Sequence, residues 1–197
     1  DASAFVYTLA AGWENNVPLA KVIGNGGTIN TGTDGGAAPR YTSATLTDAA
    51  EHVLSGLKED AVEMVPSYDG ERTEPTLLPI EFPNAFLNDV QGIAVGMRTR
   101  IIPHNPKEMI DGLLFFIDHL HTSPKRLAQI IKGPDFPTGG LLVDADDANL
   151  NELTYGHSIK GHPDKYVIRG EAKLHETKQQ SEIQFISIPY GVLLEDV

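Results

Sequence analysis

Residues 24–36 read GNGGTINTGTDGG, and no regular element can run through them. Glycine loses the most backbone freedom on ordering, and Asn, Asp and Thr side chains compete for nearby backbone hydrogen bonds, so such a run favours turns over helix or strand interiors. The chain is therefore interrupted early by a long loop. At the loop's exit stands PRYT, residues 39–42, shortly before a helix start. There Thr47 or Asp48 can cap a helix whose Ala50, Val53, Leu54 and Leu57 share one face.

Beyond that helix, VPSYDGERTEP reads as a turn and linker, and the change of composition after it predicts a boundary near Gly70. In TLLPIEFPNAFLND the prolines Pro79 and Pro83 deny a helix interior or a central strand, leaving an extended, irregular segment. Asn105 followed by Pro106 and Glu108 is a helix start with a mechanism: the Asn side chain caps, proline suits the first turn, and glutamate favours the positive end. Met109, Ile110, Leu113, Leu114 and Ile117 line that helix, and Ser123-Pro124 repeats the device ahead of KRLAQIIK. The remainder reads as short strands, GLLVD, KYVIRG and EIQFISIPY, around one short helix after Asp147. The fold class expected is mixed α/β (α+β).

With 41% apolar residues the 197-residue chain can bury a core as one large domain or two small ones. No apolar run approaches the length of a membrane span, and no basic patch precedes the short apolar stretch near the N-terminus, so a soluble chain without a targeting signal is expected. The lack of cysteine excludes disulfides, thiolate metal sites and a Cys nucleophile, and is compatible with a reducing compartment. A net charge of −12 argues against stand-alone nucleic-acid binding, which draws its non-specific affinity from Lys and Arg on phosphate. The charge is uneven: between residues 91 and 132 six bases (Arg98, Arg100, Lys107, Lys125, Arg126, Lys132) face three acids (Glu108, Asp111, Asp118). Any nucleic-acid role is thus local.

Several site patterns are weaker than they look. GNGGTI has Ile29 where a dinucleotide loop needs its third glycine, and no buried strand leads into it. Asp118, His119 and His121 could ligate a metal, but neighbours two apart diverge on a helix, which favours a solvated helix end. Asp144, Asp146 and Asp147 in LLVDADDANL could open a magnesium site, while a helix cap at Asp146 or Asp147 is the simpler reading. No metal site is expected on this chain. Nothing arranges Ser, His and Asp around a nucleophile elbow.

Six short motifs fall in a telling order: PRYT (39–42), VPSYDGERTEPTLLP (65–79), FPNAFLND (82–89), QGIAVGMRTRIIPHN (91–105), EMIDG (108–112) and KGPDFPTGG (132–140). Together they resemble the A subunits of bacterial type IIA topoisomerases, DNA gyrase and topoisomerase IV. Within that resemblance GNGGTI matches the family's Gly-Asn-x-Gly-Ser loop, RYT its active-site Arg-Tyr-Thr, and ISIPYGV (186–192) the strand leading to its coiled coil.

The resemblance implies a partial winged-helix domain over residues 1–70 and a tower-like α/β domain over 71–197, ending before the coiled coil. It makes Tyr41 the nucleophile that forms a transient 5′-phosphotyrosyl bond with DNA, and Arg40 its electrostatic partner. Chemistry motivates the pair: a free phenol, with a pKa near ~10, is a poor nucleophile at neutral pH, and a guanidinium suits phosphate oxygens. By the same resemblance Ile93 wedges between base steps and Thr42 lies at the DNA, and the bases Arg98 and Arg100, in the same basic window, are expected to touch it as well. Mg²⁺ and ATP come through a B subunit with toprim and ATPase domains; the full-length family forms homodimers in the cytoplasm, at the nucleoid, and this chain alone is expected to be inactive. Pro39, Ser43 and Gly26 depart from the family's usual residues, as do Arg98, Arg100 and Ile102. The alternative is accordingly a non-catalytic relative, or decoy, that keeps a DNA-bending or subunit-binding surface.

Overall fold

The computed structural model describes residues 2–144, 166–176 and 181–197. It is mixed α and β: short helices and five two-stranded antiparallel ribbons, joined by irregular segments. Helix α1 (Ala2–Ala10) buries Tyr7, and Ala11, directly after its last residue, is buried as well. β1 (Ala20–Ile23) pairs with β2 (Ser43–Leu46) in register Ala20↔Leu46 to Ile23↔Ser43. The glycine-rich run and PRYT therefore hang together as the connection of one β-ribbon.

The strand β2 separates PRYT from the helix, which begins at α2 (Asp48–Val53). Its cap is the expected one: the Thr47 hydroxyl accepts from the Ala50 amide at 3.2 Å and itself donates to the Pro18 carbonyl at 2.9 Å. Ala50 and Val53 are buried. Leu54 and Leu57, expected on the same helix, lie beyond it, because the chain tightens into a 3₁₀ turn at Ser55–Lys58. Gly56, a poor helix residue, sits there against Pro79. VPSYDGERTEP is more ordered than a linker: β3 (Met64–Pro66) and β4 (Thr73–Pro75) form a hairpin with Gly70, at φ 70°, in its turn. The proline-containing segment after it is irregular, with a 3₁₀ turn at Asn84–Phe86.

β5 (Val90–Ala94) and β6 (Met97–Ile101) make a second hairpin through the two-residue turn Val95-Gly96. α3 (Pro106–Asp118) starts as the sequence predicts, with the Asn105 side chain accepting from the amides of Lys107 and Glu108 at 3.0 and 3.2 Å. Met109 and Gly112 are buried, whereas Ile110, Leu114 and Ile117 are exposed. α4 (Pro124–Leu127) is a single turn to which Ser123 gives no side-chain cap. β7 (Leu141–Asp144) pairs with β8 (Tyr166–Arg169), and β9 (Ala172–Glu176), which the sequence pattern does not announce, with β10 (Ser181–Phe185). Asp146, Asp147 and the helix expected after them lie outside the described residues.

The parts are tied together by the segment after α1. The buried Asn88 side chain completes a peptide-like pairing with Val17, accepting from its amide and donating to its carbonyl, both at 2.9 Å. The Asn16 amide donates to the carbonyls of His104 (3.1 Å) and Asp135 (2.7 Å). Around this joint Leu87, Pro103, Phe136 and Tyr190 are buried. Among the described residues no helix is long and apolar enough to cross a membrane.

Candidate functional site

Pro39–Tyr41 is one 3₁₀ turn, closed by the Tyr41 amide on the Ala38 carbonyl (2.9 Å) and the Thr42 amide on the Pro39 carbonyl (3.2 Å). Ala38 is extended at φ −58°, ψ 144°, as a residue before proline must be. Pro39 opens the turn, where an amide would have no partner within it, so the proline fits the local geometry. The turn lifts Arg40 and Tyr41 into solvent; Tyr41 is 69% exposed. The Arg40 guanidinium lies 4.9 Å from the Tyr41 ring centroid. Among the described residues neither side chain makes a hydrogen bond, which leaves guanidinium and phenol open to a ligand from solvent.

The turn is held from beneath by a residue that no motif singles out. The Tyr7 hydroxyl donates to the Ala37 carbonyl at 2.8 Å and lies 2.7 Å from the Thr42 hydroxyl, which is 3.2 Å from the Pro39 carbonyl. One side chain of α1 thus grips the chain on both sides of Arg40-Tyr41. Thr42, expected at the DNA, is half-buried here and engaged with Tyr7.

The glycine-rich loop folds back to support the same turn. The Ala37 amide donates to the Asn25 carbonyl (2.8 Å), and the Asn25 side chain accepts from the Gly27 amide (3.0 Å). Gly27 has φ +100°, and a Cβ there would stand 2.2 Å from the Gly32 carbonyl oxygen. Only glycine can occupy both that conformation and that space.

The second group of expected residues lies on the β5–β6 hairpin. Ile93 pairs with Arg98 and Gln91 with Arg100, and strand alternation places all four on one face. Ile93 is 83% exposed, and Val95 and Met97 at the tip are also exposed. The two arginines differ. Arg98 has no hydrogen bond or ion pair among the described residues, whereas Arg100 makes a forked contact with Asp89: Nε to Oδ1 and Oδ2 at 3.0 Å each, and a terminal nitrogen to Oδ2 at 2.5 Å. Hydrogen bonding to Asp89 raises the Arg100 pKa further. Asp89, Val90, Gln91 and Arg100 at the hairpin root share a cleft of about 870 Å³ with Thr31 and Asp34 of the glycine-rich loop. Glu14, on the same cleft, has its pKa raised, first by burial and then by the Asp89 charge.

Of the candidate metal ligands, His119 packs against the preceding turn: its Nδ1 is 3.0 Å from the Phe115 carbonyl oxygen and its ring stacks on Phe115 with centroids 4.3 Å apart. Among the described residues there is no group of three or more His, Cys, Asp or Glu side chains able to hold a metal ion.

With this geometry in place, comparison with known proteins assigns the class. Residues 2–197 match the family described as the A subunit of DNA gyrase/topoisomerase IV, and the chain belongs to that family. The individual relatives bear the same names. The chain is 40% identical over 176 residues to the DNA gyrase A subunit of Thermotoga maritima, covering 89% of this chain and 21% of that protein. It is 35% identical over 200 residues to the DNA topoisomerase 4 A subunit of Mycoplasma pneumoniae, covering 100% and 24%. Over 119 residues it is 47% identical to the DNA gyrase A subunit of Campylobacter jejuni, covering 60% and 14%. The chain thus spans under a quarter of the length of these relatives.

Proposed function

We propose that this chain is the DNA breakage-reunion part of a type IIA topoisomerase A subunit, an isomerase acting on duplex DNA. The observation that carries the reading is the Arg40-Tyr41 couple, exposed on a turn that Tyr7 and the glycine-rich loop hold in place. In this reading the Tyr41 hydroxyl loses its proton to solvent and attacks a backbone phosphorus. The bond from phenolic oxygen to phosphorus forms as the bond from phosphorus to the 3′ oxygen breaks, and the 3′ oxygen takes up a proton. The Arg40 guanidinium balances the charge that builds on the phosphoryl oxygens. Reversal after another segment of duplex has passed through the break reseals the strand, so linking changes while the covalent DNA does not.

Residues 1–70 then act as the winged-helix portion bearing Tyr41 and 71–197 as the tower-like portion, whose hairpin presents Ile93 and Arg98 to the duplex. Ile93 would act as the wedge that kinks it. Mg²⁺ and ATP belong in this reading to a B subunit with toprim and ATPase domains, and no step on this chain runs through them. The working assembly is a homodimer of A subunits with B subunits, on DNA in the cytoplasm.

The test is covalent capture with Mg²⁺, the full A subunit carrying this segment, and its B subunit. Denaturant trapping and proteolysis should yield a phosphotyrosyl peptide at Tyr41, lost in Tyr41→Phe. Arg40→Ala should slow its formation by about 10²–10³-fold while DNA is still bound. Absence of an adduct from the wild type would instead leave a non-catalytic relative that binds DNA or the B subunit.

A further inference from the structure

A two-stranded ribbon is marginally stable by itself, and both strands of the β5–β6 hairpin are exposed almost throughout. Its direction is decided at the root. There Asp89, with a side chain only 13% exposed, receives the Arg100 fork, and the Arg100 guanidinium lies 5.9 Å from the ring centroid of Tyr190. Tyr190 is buried, donates from its hydroxyl to the Glu14 carbonyl at 2.8 Å, and stacks on Phe136 with centroids 5.0 Å apart. Hairpin root, C-terminal segment and the segment after α1 therefore meet in one cluster. Arg98, two residues before Arg100 on the same face, takes no part in it.

We propose that Arg100 is a positioning residue: with Asp89 and Tyr190 it sets the angle at which the hairpin offers Ile93 and Arg98 to a duplex, and it contributes no phosphate contact of its own. The proposal rests on the DNA-cleavage reading above. Its physical basis is that a guanidinium whose Nε and one terminal nitrogen already serve a carboxylate has its charge balanced in place and its fork occupied. A wedge must also arrive in register with the nucleophile, since a misplacement of about 1 Å costs on the order of 10²-fold in rate.

Measurements without and with DNA on the full A subunit and its B subunit separate the proposal from the reading beneath it. Without DNA, amide hydrogen exchange over residues 89–101 should quicken in Arg100→Gln and Asp89→Asn and stay unchanged in Arg98→Gln. With an end-labelled duplex, energy transfer reports bending, and affinity against salt reports phosphate contacts. Arg98→Gln should lower the slope of log affinity on log salt by about 0.9, the value for one phosphate contact. Arg100→Gln and Asp89→Asn should leave that slope in place yet broaden the bend distribution and cut adduct yield by roughly tenfold. Arg100→Lys, which keeps the charge and loses the fork, should behave like Arg100→Gln. Unchanged exchange in the hairpin, or a slope lowered by Arg100→Gln as by Arg98→Gln, overturns the positioning role. Quickened exchange together with a wild type that neither bends nor cleaves DNA would uphold the clasp and remove the cleavage reading instead.

Discussion

Tyr7→Phe deletes one oxygen atom and leaves the ring, so it isolates the grip on the Arg40-Tyr41 turn. The hydroxyl makes two partly buried contacts, to the Ala37 carbonyl at 2.8 Å and the Thr42 hydroxyl at 2.7 Å. Neutral hydrogen bonds contribute about 0.5–1.5 kcal/mol each. Thr42 is not left stranded, because the Pro39 carbonyl lies 3.2 Å from its oxygen, and no cavity opens while the ring remains. The expected loss is therefore about 1–2 kcal/mol, or roughly 2–8 °C in Tm for a chain of this length. Urea unfolding should show a lower midpoint at an unchanged m value. Amide exchange at Tyr41 and Thr42 should quicken, since their turn is what the hydroxyl restrains. Tyr41→Phe removes the same atom from an exposed ring without a hydrogen bond, and should stay within about 0.5 kcal/mol of wild type. If Tyr7→Phe were as silent as Tyr41→Phe in both stability and exchange, α1 would not be what holds the Arg40-Tyr41 turn.

Gly27→Ala should destabilise by roughly 2–4 kcal/mol and disturb the loop, because φ is +100° and the new methyl would meet the Gly32 carbonyl at 2.2 Å; thermal unfolding checks it. Asn88→Ala should cost about 2–4 kcal/mol by stripping the Val17 amide and carbonyl of their partner, measured by denaturant unfolding. Glu14→Gln should raise stability at pH 7. Burial and Asp89 lift the folded pKa of Glu14 above its unfolded value, so ionisation opposes folding; the gain should be full above the folded pKa and fade as pH falls toward the unfolded one near ~4.3, which melts at pH 7 and pH 4 would show.

The features legible in the sequence are those whose partners lie within a few residues. Asn105, Pro106 and Glu108 announce the start of α3 because a cap bonds amides two and three positions on, and Thr47 announces α2 for the same reason. The loop at residues 24–36 is readable because glycine's freedom is a property of the residue itself. The motif order leads to the right family. Where a helix would stop is less legible: Leu54 and Leu57 continue the apolar period of α2, but Gly56 and its packing on Pro79 end the helix first.

Only the tertiary structure could bring Tyr7 under Thr42, 35 residues away, or fit Asn88 to Val17 across 71. Composition alone treats Arg98 and Arg100 as equals in one basic window; the fold leaves Arg98 unpaired among the described residues and closes Arg100 onto Asp89 beneath Tyr190. The reason is physical. Turn and cap preferences act through a few bonds of chain and are written in neighbouring letters, whereas charge pairing and burial act through space, and the distances that govern them exist only once the chain has folded.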